Sequence, residues 1–171
     1  MAQRTAQHIP GHVLSAFQLD GRAGIPVGPE WDNGVRFGRV VVSEASDTAA
    51  WSGKARDHAG EFGAGIAVSR PVRATDGRLV VGGFKASEFV EGRVLARIDE
   101  AVSAALRYDE AMAGVDAPTA DRGDAFATAE RAVWRDYTPQ PGDVVAHMDF
   151  ASCLLFSGDM VPTLTDLVPS S

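Results

Sequence analysis

The Asp76-Gly77 pair constrains this chain more than any other two residues. Both residues tolerate positive φ, so the pair marks a tight reversal of the chain. Two apolar, β-prone runs flank it, residues 66–72 (IAVSRPV) and 79–90 (LVVGGFKASEFV). The pattern predicts an antiparallel hairpin. Residues 35–43 (VRFGRVVVS) cluster β-branched side chains and add a strand, or half of a second hairpin.

Helices surround this β-rich part. Residues 10–17 have a loose helical period. Residues 47–59 read as a helix capped by Ser46 or Asp47, with Ala49, Ala50 and Trp51 in the first turn. The strongest helical pattern is 97–112. It places Ile98, Val102, Ala105, Leu106 and Met112 roughly on one face, with Arg97, Asp99, Glu100 and Asp109 elsewhere. Residues 21–34 are a Gly- and Pro-rich loop, 114–121 a linker, 125–134 a helix and 137–142 a Pro-containing loop. The tail reads as strand 144–148 (VVAHM), strand 153–158 (CLLFSG), a turn at Gly158-Asp159, and strand 162–168 (PTLTDLV). The order predicts an α+β fold in two lobes: residues 1–92, β-rich, and residues 93–171, helical and closed by a hairpin.

Charge and cysteine content narrow the function. The net charge is -7 over 171 residues, which disfavours nonspecific binding to nucleic acid or to an anionic membrane. Residues 1–10 are polar and read as neither a signal peptide nor a membrane span. One cysteine, Cys153, allows no internal disulfide, so a cytoplasmic location is expected. That thiol and four scattered histidines have no zinc-ligand spacing.

The tail carries the chemistry. In HMDFASCLLFSGDMVPTLTDLVP, His147 and Asp149 precede an apolar run, a turn, and a second acid, Asp166. A hairpin of this kind brings two carboxylates to one end of its strands. Phosphoryl transfer uses such a pair, one as base toward the attacking hydroxyl and one on Mg²⁺.

On these residues the chain resembles the aminoglycoside-phosphotransferase-like (protein-kinase-like) family, in particular an actinobacterial branch reading approximately VHGDLxGNVLFxG and then PxVIDLTPYW. The segments WDNGVRFGRVVVSEASDTAAWSGKARD, SRPVRATDGRLVVGGFKASEFVEGR and GDAFATAERAVWRD are similar to that branch as well. The resemblance implies a truncated protein-kinase-like fold: a small β-rich lobe and a reduced helical lobe with a catalytic-loop-type β-hairpin. It implies Asp149 at the position of the catalytic base, Asp166 at that of the metal-binding aspartate, and His147 as the histidine bracing the catalytic loop.

The departures are as informative. Met148 replaces the family's Gly and is expected to fill the space between Asp149 and Asp166. Cys153 replaces the metal-ligand Asn, and a thiol is a poor ligand for Mg²⁺. Ser43 or Glu44 stands where the phosphate-binding lysine belongs, and the glycines of residues 28–38 form no phosphate-cradling pattern. A helical segment between Trp134 and His147 and the helices after Asp166 are missing relative to the family.

The expected function is therefore a catalytically inactive, pseudokinase-like protein acting through protein–protein contact, a regulatory or phage and mobile-element type of factor. Its site residues are vestigial, it needs no cofactor, and its partner is another protein or a further copy of itself. The alternative is an active phosphotransferase with altered nucleotide and metal ligands, using ATP and Mg²⁺. Cys153 is expected to be a small buried hydrophobe. Lys54 and Lys85 are expected at the solvated surface, unless Lys85 stands in for the missing cation. Trp31, Trp51 and Trp134 are expected in packing, an exposed one pointing to a binding face.

Overall fold

A computed structural model describes residues 7–58 and 62–170. Residues 1–6 of the polar N-terminus and Ala59, the expected end of the second helix, lie outside the described residues. The fold is mixed α+β.

The larger sheet joins β1 (Ile25–Pro26), β2 (Val35–Phe37), β3 (Val40–Glu44), β5 (Pro71–Val72), β6 (Val80–Val81) and β7 (Phe84–Glu88). Its order is β1-β2-β3-β7-β5, antiparallel throughout, and β6 also pairs with β7. Residues 35–43 thus split into a hairpin, β2–β3, turning at Gly38 with φ of 65°. The Asp76-Gly77 turn forms, with the Gly77 N–H bonded to the Ala74 carbonyl at 2.8 Å. It does not close the hairpin expected of it. β5 and β6 lie one after the other along the same edge of β7, and the tight reversal falls at Gly82-Gly83, φ 56° and 80°. Two successive positive φ values suit glycine far better than any side chain, which is why the hairpin closes there.

Helix α1 (Gly11–Ala16) covers this sheet, and Val13, Phe17, Leu19, Val35, Phe37, Val42, Val81 and Ala86 form one core. Helix α2 (Ala49–Asp57) follows β3. Its N-cap is Thr48 and no side chain caps it, in place of the Ser46 or Asp47 expected. Gly53 allows the helix close to its neighbour: a Cβ there would lie 2.9 Å from Leu79 Cδ1.

A second sheet runs β4-β9-β8: β4 (Ala67–Val68), β9 (Thr163–Leu164) and β8 (Leu154–Leu155). β4 pairs parallel with β9, so this sheet reaches across the division expected near residue 92. It packs with α3 (Ile98–Met112) through Ile66, Val68, Ala104, Tyr108, Met112, Leu154 and Leu164.

In this half one expectation is narrowed and another is overturned. On α3 the core takes Ala104, Tyr108 and Met112, while Ile98, Val102 and Leu106 are exposed. The apolar arc of the helix is wider than one face, and the core covers only part of it. In the tail, residues 144–148 form no strand; a lone bridge joins His147 to Pro169. A short helix, α5 (Phe150–Cys153), precedes β8, and only Leu154–Leu155 and Thr163–Leu164 remain of the two longer strands. Helix α4 spans Ala125–Trp134 as expected, capped by the Asp124 carboxylate, which accepts from the Ala127 N–H at 2.7 Å. Among the described residues no helix is long and apolar enough to cross a membrane.

Candidate functional site

The central strands bury a lysine that was expected at the solvated surface. β3 and β7 pair with Ser43 directly opposite Lys85. Lys85, Ala86 and Ser87 are buried in succession, because both faces of β7 are covered. Lys85 is therefore interior and not solvated. Its ammonium pairs with the Asp166 carboxylate and, at 2.7 Å, with Asp32 Oδ2. Asp32 ends a 3₁₀ turn, Pro29–Trp31, in the left-handed region at φ 54°, a conformation aspartate tolerates.

Helix α2 adds the second cation. Ser52 and Arg56 are one helical turn apart on the face that Gly53 brings close to its neighbours. Arg56 is 1% exposed. Its Nε donates to Ser52 Oγ at 3.1 Å, and its Nη1 donates to the Ser69 carbonyl at 3.0 Å and to Ser87 Oγ at 3.1 Å. The Thr165 carbonyl and Asp166 Oδ1 lie at 3.5 Å.

Asp166 is where these groups converge. Its Oδ1 accepts from Ser52 Oγ at 2.5 Å and from the Leu167 N–H at 2.8 Å, and its Oδ2 takes the Lys85 ammonium. Burial alone would raise the pKa of Asp166, but Lys85 and then Arg56 overcome that and hold it far below the ordinary carboxylate range. Burial likewise opposes the charge on Lys85, and the fields of Asp166 and Asp32 outweigh it and raise its pKa. Two buried cations thus share the Asp166 carboxylate, and the exposed Asp32 adds a second negative charge at the edge of the group.

His147 ties the tail together. Its Nδ1 accepts from the Asp149 N–H at 3.1 Å, which assigns the ring proton to Nε2, 2.9 Å from the Asp166 carbonyl. The ring makes edge contacts with Tyr108 and Phe150, at centroid distances of 5.6 Å. Burial pushes its pKa below the usual histidine value, against the pull of Asp166 and Asp149. Tyr108 fixes the same corner by donating to the Val145 carbonyl at 3.0 Å.

Asp149 sits at the start of α5 with an exposed side chain. It and Asp166 line one cleft of about 410 Å³, together with Asp32, Glu44, Asp124, Lys85 and Arg122. Met148 is half-exposed and absent from the lining, so the expected filling of this space does not occur. Both cations are already engaged: Lys85 as above, Arg122 with Asp124 at 3.0 Å and Glu130 at 3.0 Å. Cys153 is buried, and burial, helped by the Asp166 and Asp149 charges, pushes its thiol up to about 12. It remains protonated at neutral pH. Among the described residues no three His, Cys, Asp or Glu side chains gather as a metal site.

The aspartates and histidine singled out in the sequence thus come together, and Ser52, Arg56 and Asp32 join them unannounced. The legible signal was the small pair Ser52-Gly53, which marks the close face of α2 and hence a buried Arg56. Trp31 is buried, Trp51 is half-buried with its Nε1 donating to the Asp116 carbonyl at 2.7 Å, and Trp134 is 55% exposed. No protein-family model matches the chain, and no curated protein matches it.

Proposed function

We propose that this is a kinase-like domain that no longer transfers phosphate and acts by binding protein. The arrangement supporting the kinase-like part is the sheet order β3-β7-β5 with α2 inserted after β3, facing a tail that carries His147, Asp149 and Asp166. The observation carrying the inactive reading is the saturation of Asp166. Its oxygens are taken by Lys85, Ser52, Arg56 and the Leu167 N–H. A carboxylate so engaged is a structural anchor and a poor ligand for Mg²⁺, which demands near-ideal octahedral oxygen geometry. Cys153, at the second metal position of the resemblance, is a buried neutral thiol and does not fit either. The cleft presents five carboxylates against two cations that are both already paired, so a polyphosphate meets repulsion there.

Thermal-shift titration with ATP and Mg²⁺ tests the reading. The expected result is an unchanged melting temperature up to millimolar ligand. Mg²⁺-dependent stabilisation by micromolar ATP would overturn it.

One observation favours the alternative, an active phosphotransferase. Lys85 lies across the ladder from Ser43 and supplies a cation from the neighbouring strand. On that reading Lys85 releases Asp166 to bind the metal, and Asp149 in the open cleft serves as base. It requires that Asp149→Asn abolish a measured phosphoryl transfer.

A further inference from the structure

Three arginines gather at the β2–β3 turn. Phe37 and Val40 close that turn, and Gly38 and Arg39 form it. Arg36 precedes it, and its Nε donates to the Gly38 carbonyl at 2.7 Å. Arg22 arrives from the preceding loop: a Cβ on Gly38 would lie 3.6 Å from Arg22 Nη1. Arg22 and Arg39 are exposed and Arg36 is half-buried. No carboxylate among the described residues pairs with any of the three. This is unusual in a chain of net charge -7, where Arg73, Arg78, Arg97, Arg107 and Arg122 all have acidic partners.

Arg36 is held in place for a ligand. Its guanidinium carbon lies 3.7 Å from the centroid of the Phe89 ring, and its one hydrogen bond uses Nε. Stacking and that bond fix the plane of the fork and leave both terminal nitrogens without a partner, the edge that grips a carboxylate. An apolar group stands beside it. Ile25, on the edge strand β1, is the cross-strand partner of Arg36 and so shares its face of the sheet. It is 62% exposed, the one large hydrophobic side chain so exposed among the described residues up to 92. The acid of the neighbouring ladder does not reach this face. Arg36 and Ser87 both pair with Val41, so Glu88, opposite Val40, points to the other side.

We propose that this patch docks an acidic, extended segment of another protein, with carboxylates on Arg22, Arg36 and Arg39 and an apolar side chain on Ile25. Like charges crowded at a turn without a counter-charge favour an anionic partner, and charge complementarity selects it. A nucleic acid fits less well. Its regular phosphate charge would run on past the turn over a surface that is acidic overall. The proposal rests on the protein-binding reading above and gives the chemistry of the partner.

Fluorescence anisotropy tests it, with a labelled peptide of Glu residues around a central Leu, titrated with the full chain to about 100 μM. Saturable binding is expected. Arg22→Glu with Arg39→Glu should weaken it at least ~10-fold. Lys54→Glu with Arg135→Glu makes an equal change of net charge on α2 and at the end of α4, and should change binding less than ~2-fold. Arg36→Lys keeps the charge but loses the fork, and should weaken binding ~3-fold or more. Replacing the peptide's Leu by Ser should weaken binding to the wild type and leave Ile25→Ser unaffected. Circular dichroism should be unchanged in every variant, because none of these side chains belongs to the core. No saturable binding, equal losses in the two charge-matched pairs, or tighter binding of an oligothymidylate of the same charge overturns the proposal. Titrating the wild type with ATP and Mg²⁺ separates the two claims. A chain that ignores both peptide and nucleotide refutes only the patch; one that binds both refutes only the inactive reading.

Discussion

The two halves of this molecule handle polarity in opposite ways. Up to residue 92 the described chain hides polar groups: Ser43, Ser52, Arg56, Ser69, Lys85 and Ser87 are all buried. Beyond it the chain shows apolar ones. Apart from Ile25, every exposed large hydrophobic side chain among the described residues follows residue 92, from Val94 through Ile98, Phe126 and Trp134 to Val161. Burying a charge is costly unless it is paired and bonded, and exposing a large apolar face is costly unless something covers it. The buried cations of the first half, Arg56 and Lys85, are paired within the molecule by Asp166 of the second half. The second half leaves that apolar surface open to solvent.

The largest effect should come from breaking the internal side of that contrast. Arg56→Met removes a cation with hydrogen bonds to Ser52, Ser69 and Ser87. A loss of ~3–5 kcal/mol is expected, as for removing one member of a buried ionic network. Urea unfolding would read it as a lower midpoint.

Two phenylalanines sharpen the comparison directly. Phe37 is 5% exposed in the first core and Phe126 is 79% exposed on α4. Phe37→Ala should cost ~3–5 kcal/mol. Phe126→Ala should stay within ~0.5 kcal/mol. Equal costs in thermal unfolding would erase the distinction between the halves.

Asp124→Ala should cost ~1 kcal/mol, since it caps α4 through the Ala127 N–H. Chemical denaturation followed by helical circular dichroism would show it.

A pH effect of smaller size follows from His147. Its folded pKa lies below the unfolded value, so the unfolded chain binds the extra proton first. The contribution is complete above pH ~6.5 and is lost as pH falls through the folded value. His147→Gln should flatten this part of the stability profile. Asp166, also depressed, adds a separate loss at more acid pH, complete above the unfolded value of ~3.9 and fading below it.

Much of the fold was legible. Helix α4 spans residues 125–134 as its pattern predicts, and α1, α2, β2, β3 and α3 fall within a few residues of their expected positions. The Asp76-Gly77 turn was readable but its partner was not. Only the run of positive φ at Gly82-Gly83 decided which reversal closes the hairpin. The exposed ridge of α3 was not legible, because an apolar arc wider than one face does not say which part meets the core. In the tail only one bridge forms, between His147 and Pro169, and the His147 side chain bonds the Asp166 carbonyl beside it. In the site, Asp149, Asp166 and His147 were readable from their motif. Lys85 was not, because its burial depends on Asp166, 81 residues away, and on β3 covering one edge of β7.

The central claim is that Asp166 anchors the fold and is not held ready for a ligand. Residues poised for function are commonly kept at a cost in stability, so replacing one leaves a protein as stable or more so. An anchor behaves oppositely. The direct measurement is a double-mutant cycle in equilibrium unfolding with Asp166→Asn, Lys85→Met and the pair. The account predicts that Asp166→Asn alone costs ~3 kcal/mol or more, with a coupling to Lys85 of ~1–3 kcal/mol. Unchanged or increased stability in Asp166→Asn, with no coupling to Lys85, would contradict it.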